Sequence, residues 1–206
     1  MPNTIALVNP KGGTGKTTIA VHLAVAAHRD GRRTALVDAD PQGSALDWSR
    51  RTADGYDGPD VQPVGRGESV RKSLSGAGPG IAVVDSPARL DERTGAVLSA
   101  ADLALVPVRP SGLDLWGTAE FLDVLQDYVG RGLSAAFVAS QADVRTSLSD
   151  QLEDALSGLD LPLLDGLTLR VAFARSLSEG RTVLDGSDRG AIEEVETLYD
   201  DVAGLL

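Results

Sequence analysis

Short apolar runs alternate with longer stretches in which apolar residues recur every three or four positions, and this rhythm persists along the chain. The runs predict strands at Thr4–Asn9, Thr34–Asp38, Ile81–Asp85, Leu103–Val108, Ala135–Ser140 and Leu163–Val171. The helical spacing predicts crossover helices at Thr17–Arg29, Ser44–Arg51, Glu68–Ser75, Asp91–Ala100, Leu113–Val129 and Leu148–Leu156. A last helix is expected from Ser187 or Asp188 onward, with Ile192, Val195, Leu198 and Val202 on one face. Asp54–Gly67 predicts a long loop with a short edge strand at Val61–Val64. Strand and helix in regular alternation predict a single-domain α/β fold, a mostly parallel twisted sheet with helices on both faces.

Composition narrows the setting. With 206 residues, 42% of them hydrophobic, the chain can bury one good core and is short for two. No apolar run approaches the ~20 residues of a membrane span, and the opening residues resemble no leader, so a cytoplasmic protein is expected. The absence of cysteine excludes disulfides, thiolate-held zinc and iron–sulfur clusters. A net charge of −11 argues against broad adhesion to nucleic acid or anionic lipid, so any DNA contact has to be focal. Of the 19 basic residues only Lys11, Lys16 and Lys72 are lysines, and two of those three lie in one glycine-rich loop.

That loop follows the first predicted strand and opens the first predicted helix, reading KGGTGKTT over residues 11–18. Gly12, Gly13 and Gly15 let backbone N–H groups turn inward around phosphate oxygens, with Thr14 and Thr18 completing the cradle. Lys16 supplies a compact cation for the β- and γ-phosphates, and the Thr17 hydroxyl is placed to ligate Mg²⁺. Pro10 stands where a phosphate loop usually has glycine, and Lys11 adds a cation that one triphosphate does not need.

Two further segments place carboxylates at strand ends, where open α/β sheets bind ligands. Asp38 and Asp40 lie in LVDADPQG, and Asp85 ends the buried run IAVVD. A carboxylate near Thr17 would fix magnesium through its hydration shell, and a second would orient an attacking water.

The loop with its early lysine resembles the deviant Walker A motif of the ParA and MinD superfamily of P-loop ATPases, and the chain is closest in pattern to its small ParF-like partition proteins. The resemblance implies ATP and Mg²⁺ as ligands and ATP hydrolysis as the activity. Lys11 is then the signature lysine that reaches the partner's nucleotide, Asp40 positions water, and Asp38 and Asp85 support the metal. The stretch Pro107-x-x-Pro110-Ser111-x-x-Asp114 resembles the family's interface segment, which puts Pro110 and Asp114 beside Lys11 in an ATP-bound homodimer.

The last third resembles the ParF-like pattern of a strand carrying Arg170, followed by an aromatic, a basic residue and a glycine. Arg170, Arg175, Arg181 and Arg189 are the candidate contacts to non-specific DNA, although pairing with neighbouring carboxylates such as Glu179 and Asp188 is the competing reading. The resemblance further implies a ParB- or ParG-like centromere-binding or adaptor protein that stimulates hydrolysis, association with the nucleoid in the ATP state, and no winged helix. Three rivals remain. A MinD-like membrane switch needs a basic amphipathic terminus where this chain reads AIEEVETLYDDVAGLL, and a dethiobiotin-synthetase-like enzyme needs neither Lys11 nor the DPQG segment. Nitrogenase-reductase and arsenite-pump relatives, the third, need cysteines that this chain lacks, and what remains is another positioning system with a cargo or scaffold other than DNA.

Overall fold

The computed structural model describes residues 2–65, 68–76, 78, 80–109, 119–142 and 160–206. Among these, the strands are β1 (Asn3–Leu7), β2 (Thr34–Asp38), β3 (Asp60–Pro63), β4 (Ile81–Asp85), β5 (Leu103–Val108), β6 (Ser134–Ala139) and β7 (Leu163–Leu164). The helices are α1 (Lys16–Arg29), α2 (Ser44–Ser49), α3 (Val70–Gly76), α4 (Glu92–Leu98), α5 (Ala119–Val129), α6 (Val171–Ser178) and α7 (Arg189–Gly204). The expected helix Leu148–Leu156, the first turns of Leu113–Val129, and Pro110 and Asp114 lie outside the described residues.

All seven strands pair in parallel, in the order β3-β2-β4-β1-β5-β6-β7. Alternate side chains feed two cores, as the pleat requires. Ile5, Leu7, Leu36, Ile81, Val83, Leu103 and Leu105 pack with α1, α2, α6 and α7. Ala6, Val8, Val37, Ala82, Val84, Ala104 and Val106 pack with α3, α4 and α5. Burial on both faces explains why the central strands read as continuous apolar runs rather than as alternation. The loop after β1 emerges between the carboxyl ends of β4 and β5, where the connections diverge to the two halves of the sheet, the position at which such sheets bind ligands.

Helix α1 is buried along nearly its whole length because it lies between the sheet and α7. His22 on this helix is 1% exposed. Its Nδ1–H donates to the Thr18 carbonyl at 2.7 Å, its Nε2 accepts the Val183 N–H at 3.2 Å, and Phe173 packs edge-on at 5.3 Å. Burial holds the ring neutral, with its pKa lowered to about 4. Trp48 is likewise a packing residue, its Nε1–H donating to the Arg181 carbonyl at 3.1 Å.

The expected strand Leu163–Val171 is corrected. Pairing stops at Leu164, and Arg170 is the N-terminal cap of helix α6 rather than a strand residue. A Cβ on Gly166 would meet the Ala139 carbonyl at 1.9 Å, so the chain crosses the end of β6 there instead of running beside it. Beyond the crossing, Ala172, Phe173 and Leu177 reach the core at helical spacing, which strand geometry cannot satisfy.

Folding pushes the pKa of His22 below its unfolded value near 6.5, so the unfolded chain binds a proton that the folded state refuses. Stability therefore falls as pH drops from about 6.5 toward 4. The stability gap between wild type and His22→Gln should be about 2 kcal/mol smaller at pH 4.5 than at pH 7 in urea denaturation; an unchanged gap would mean that the ring is not held neutral.

Candidate functional site

Asn9 anchors the glycine loop from below. Its Nδ2 donates to the Pro107 carbonyl at 2.8 Å, and its Oδ1 accepts the Lys11 N–H at 2.8 Å. Gly13 (φ 75°) and Gly15 (φ 90°) adopt the left-handed conformation that side-chain-bearing residues avoid. Gln141, beyond β6, donates from Nε2 to the Gly13 carbonyl at 2.9 Å and itself holds φ 56°. A non-glycine residue in that region is strained, and here it ties β6 to the loop. Lys16 folds back across the turn, its Nζ donating to the Lys11 carbonyl at 3.2 Å. Burial lowers the Lys16 pKa, opposed by the charges of Asp85 and Asp40.

Thr17 Oγ1 donates to Asp85 Oδ2 at 2.6 Å. Asp85 is 1% exposed, and its other oxygen, Oδ1, is buried without a hydrogen-bond partner. Burial pushes the carboxyl up to about 7, against the opposing hydrogen bond from Thr17. A buried carboxylate oxygen with nothing to accept from, beside a threonine hydroxyl and a phosphate loop, fits a hydrated divalent cation. Magnesium keeps several waters and takes few protein ligands, so a dense carboxylate cluster is not required.

Asp38 is buried and turned inward. Its oxygens accept the N–H groups of Asp40 at 3.1 Å and Leu46 at 3.0 Å, so it pins the loop that follows β2 and the start of α2. Burial raises its pKa. Asp40, half-exposed on that loop, accepts the Gln42 N–H at 2.9 Å. Arg93 of α4 donates to the Ala39 carbonyl at 3.1 Å and clamps the same loop from the other core face. A cavity of about 230 Å³ opens beside Gly15 and Thr18, lined also by Gln141, Leu167, Thr168 and Phe173.

Lys11, Gly12, Gly13, Thr14, Gly15, Lys16, Thr17, Thr18, Asp38, Asp40 and Asp85 are thus brought together at one sheet edge. The four arginines are not. Arg170 pairs with Glu194 at 2.8 Å and Asp188 at 3.8 Å, Arg175 pairs with Glu179 at 3.1 Å, and Arg181 pairs with the same Glu179. Arg189, the first residue of α7, is exposed and forms no ion pair among the described residues. Asn9, Arg93 and Gln141 escape a reading of the sequence. Asn9 adjoins the loop, but Arg93 and Gln141 reach the site only through the fold.

A parallel sheet with a glycine loop between its first strand and helix, and a buried aspartate on the neighbouring strand facing the helix's first threonine, defines a P-loop nucleotide-binding protein. The chain belongs to the CobQ/CobB/MinD/ParA nucleotide binding domain family, whose model matches residues 5–183. It is 31% identical to the maintenance of carboxysome distribution protein A of Halothiobacillus neapolitanus, over 97% of this chain and 95% of that protein. It is 32% identical to the chromosome-partitioning ATPase Soj of Thermus thermophilus, over 74% of each. The fold also matches a putative plasmid partition protein of Borrelia burgdorferi solved with AMPPNP, at a TM-score of 0.77 and 17% identity over 100% of both chains.

The unpartnered Asp85 oxygen predicts a trade between stability and site chemistry. Because folding raises this carboxyl from its unfolded value near 4 to about 7, ligand-free stability is lost as pH rises through that window. Asp85→Asn should keep the Thr17 hydrogen bond and stabilise the ligand-free protein by about 1–3 kcal/mol at pH 8, with little gain at pH 5. Thermal melts at the two pH values check this, and a variant less stable than wild type at pH 8 would contradict it.

Proposed function

We propose that this chain is a ParA-type, Mg²⁺-dependent ATPase that positions a cargo by cycling between an ATP-bound dimer and an ADP-bound monomer. The observation that carries the reading is the Thr17–Asp85 contact with its unpartnered oxygen, set beside a loop that holds two lysines. Lys16 and the loop amides hold the phosphates, Thr17 and Asp85 hold the hydrated cation, and Asp38 supports it by fixing the adjoining loop. The cation, when bound, neutralises charge on the phosphate oxygens and orients them. Asp40 lies half-exposed on a loop pinned by Asp38 and Arg93, its carboxylate accepting the Gln42 N–H, and in this reading it turns to orient the attacking water. In this reading the base and ribose occupy the cavity beside Thr18 and Phe173. Support for ATP comes also from the AMPPNP bound to the Borrelia relative.

Lys11 extends the site beyond a single subunit. Two cations five residues apart in one loop exceed what one triphosphate needs, and in this reading Lys11 crosses to the partner's nucleotide together with the segment of Pro110 and Asp114. Similarity along nearly the whole chain to a carboxysome distribution protein favours a protein assembly as cargo, carried by an adaptor that stimulates hydrolysis. Chromosome or plasmid partition with a ParB- or ParG-like partner is the second reading, favoured by the similarity to Soj. In both, the ATP dimer grips DNA without sequence preference, and Arg189 is the cation best placed to do so. Arg170, Arg175 and Arg181 would first have to leave their carboxylates.

Asp40→Ala should bind ATP as wild type does and hydrolyse it roughly a hundredfold more slowly; turnover at the parent rate would remove Asp40 from the mechanism. Lys11→Ala should bind ATP yet stay monomeric in light scattering with a non-hydrolysable analogue, and a normal dimer would defeat the proposed crossing. Arg189→Glu should lose ATP-dependent DNA retention at low salt while still dimerising. Undiminished retention would place the DNA contact elsewhere.

A further inference from the structure

Strand β5 brings one more cation to the loop, and the reading above gives it no role. Arg109 is the residue directly after β5. A Cβ built on Gly13 would lie 2.9 Å from Arg109 Nη2 and 3.8 Å from its Cζ, so the guanidinium rests against loop backbone that carries no side chain. Arg109 is half-buried, its Nε is shielded from solvent without a hydrogen-bond partner, and it forms no ion pair among the described residues. By contrast, Arg29, Arg50, Arg170, Arg175 and Arg181 each have a carboxylate partner.

A guanidinium stays charged at any physiological pH and offers five donors in a planar fork. Removing part of it from water with no carboxylate partner among the described residues is unfavourable, and the state is relieved by an anion arriving at the same place. The carboxylates nearest the loop do not fill that need. Asp85 faces Thr17, and the charges of Asp85 and Asp40 act on Lys16. What arrives at Gly13 in a phosphate loop is phosphate, and a fork of N–H groups matches phosphate oxygens two at a time.

We infer that Arg109 is a phosphate-binding residue that pairs with the nucleotide held in its own loop, adding a planar fork beside the compact ammonium of Lys16. The inference rests on the nucleotide site proposed above. It also accounts for glycine at position 13 in terms of space as well as conformation, since a side chain there would displace the guanidinium from the cradle.

Calorimetric titration of Mg-ADP and Mg-ATP into wild type, Lys16→Ala, Arg109→Gln and Arg109→Lys tests it, at protein concentrations where light scattering shows a monomer. Arg109→Gln should bind both nucleotides about tenfold more weakly than wild type, with a shallower salt dependence, and Arg109→Lys should recover part of the loss. The nucleotide-free Arg109→Gln protein should melt no lower than wild type, because it has lost a half-buried cation with no carboxylate partner among the described residues. Monomer binding within twofold of wild type would overturn the inference, as would a loss seen only in the ATP dimer, which would assign the arginine to the partner's phosphates. Equal weakening in Gln and Lys variants with a lowered melting temperature would reduce Arg109 to a packing role. Failure of wild type to bind either nucleotide would overturn the site itself, whereas tight wild-type binding with an indifferent Arg109→Gln overturns Arg109 alone.

Discussion

Asp85 ends a strand that has a strand on each side, so the sheet itself removes its carboxylate from water, and Thr17 satisfies only one of the two oxygens. A carboxylate in that position is costly to ionise, and the surrounding structure is organised around offsetting that cost. Lys16 is drawn back over the loop into the field of Asp85 and Asp40, and the first turn of α1 is set by the threonine that meets the carboxylate. The arrangement is incomplete as protein alone. It supplies donors for phosphate and one oxygen for a cation's hydration shell, which is the charge pattern of a magnesium nucleotide in negative outline.

The helix that opens at this site is also tied to the segment before α7. Thr18 sits in the loop's helical start and His22 one turn later, and His22 bonds both the Thr18 carbonyl and the Val183 N–H. Val183 lies in a 3-10 turn whose Thr182 and Asp185 form a capping box, and Arg29 ties Asp185 back to α1. A displacement of the first turn of α1 therefore has a short, buried and neutral connection to the segment that launches α7. A charged residue at position 22 could not make this link without paying the desolvation that its lowered pKa reflects.

Surface charge is handled differently at the two ends of the molecule. At the nucleotide edge the lysine and aspartate charges act on one another across the loop, whereas along α6 and α7 Arg170, Arg175 and Arg181 are matched by Glu179, Asp188 and Glu194. Most of those pairs are exposed and individually weak, so they hold side chains in place without committing them. With a net charge of −11, such pairing keeps the surface from attracting polyanions indiscriminately, while Arg189 at the start of α7 has no such partner among the described residues.

Much of this was legible in the residue order. Parallel strands buried on both faces must be apolar throughout, so β1, β2, β4, β5 and β6 announce themselves, and glycines, lysines and carboxylates that act within one loop or at a strand end are local in sequence. The short edge strand β3, expected at Val61–Val64 inside a loop, lies at Asp60–Pro63 with its ends exposed. What lay beyond reach was everything set by non-local contact. The expected strand through Val171 reads as apolar and β-branched, yet the approach of Gly166 to Ala139 ends it and the core face of α6 takes over. Arg93, Arg109 and Gln141 are unremarkable in sequence, because their roles depend on α4, β5 and β6 delivering them to a loop dozens of residues away. Among the arginines of the last third, Arg175 and Arg181 find Glu179 within their own short segment, a pairing already local in sequence, whereas Arg170 meets Glu194 of α7 only through the fold, since ion pairing depends on distance in space.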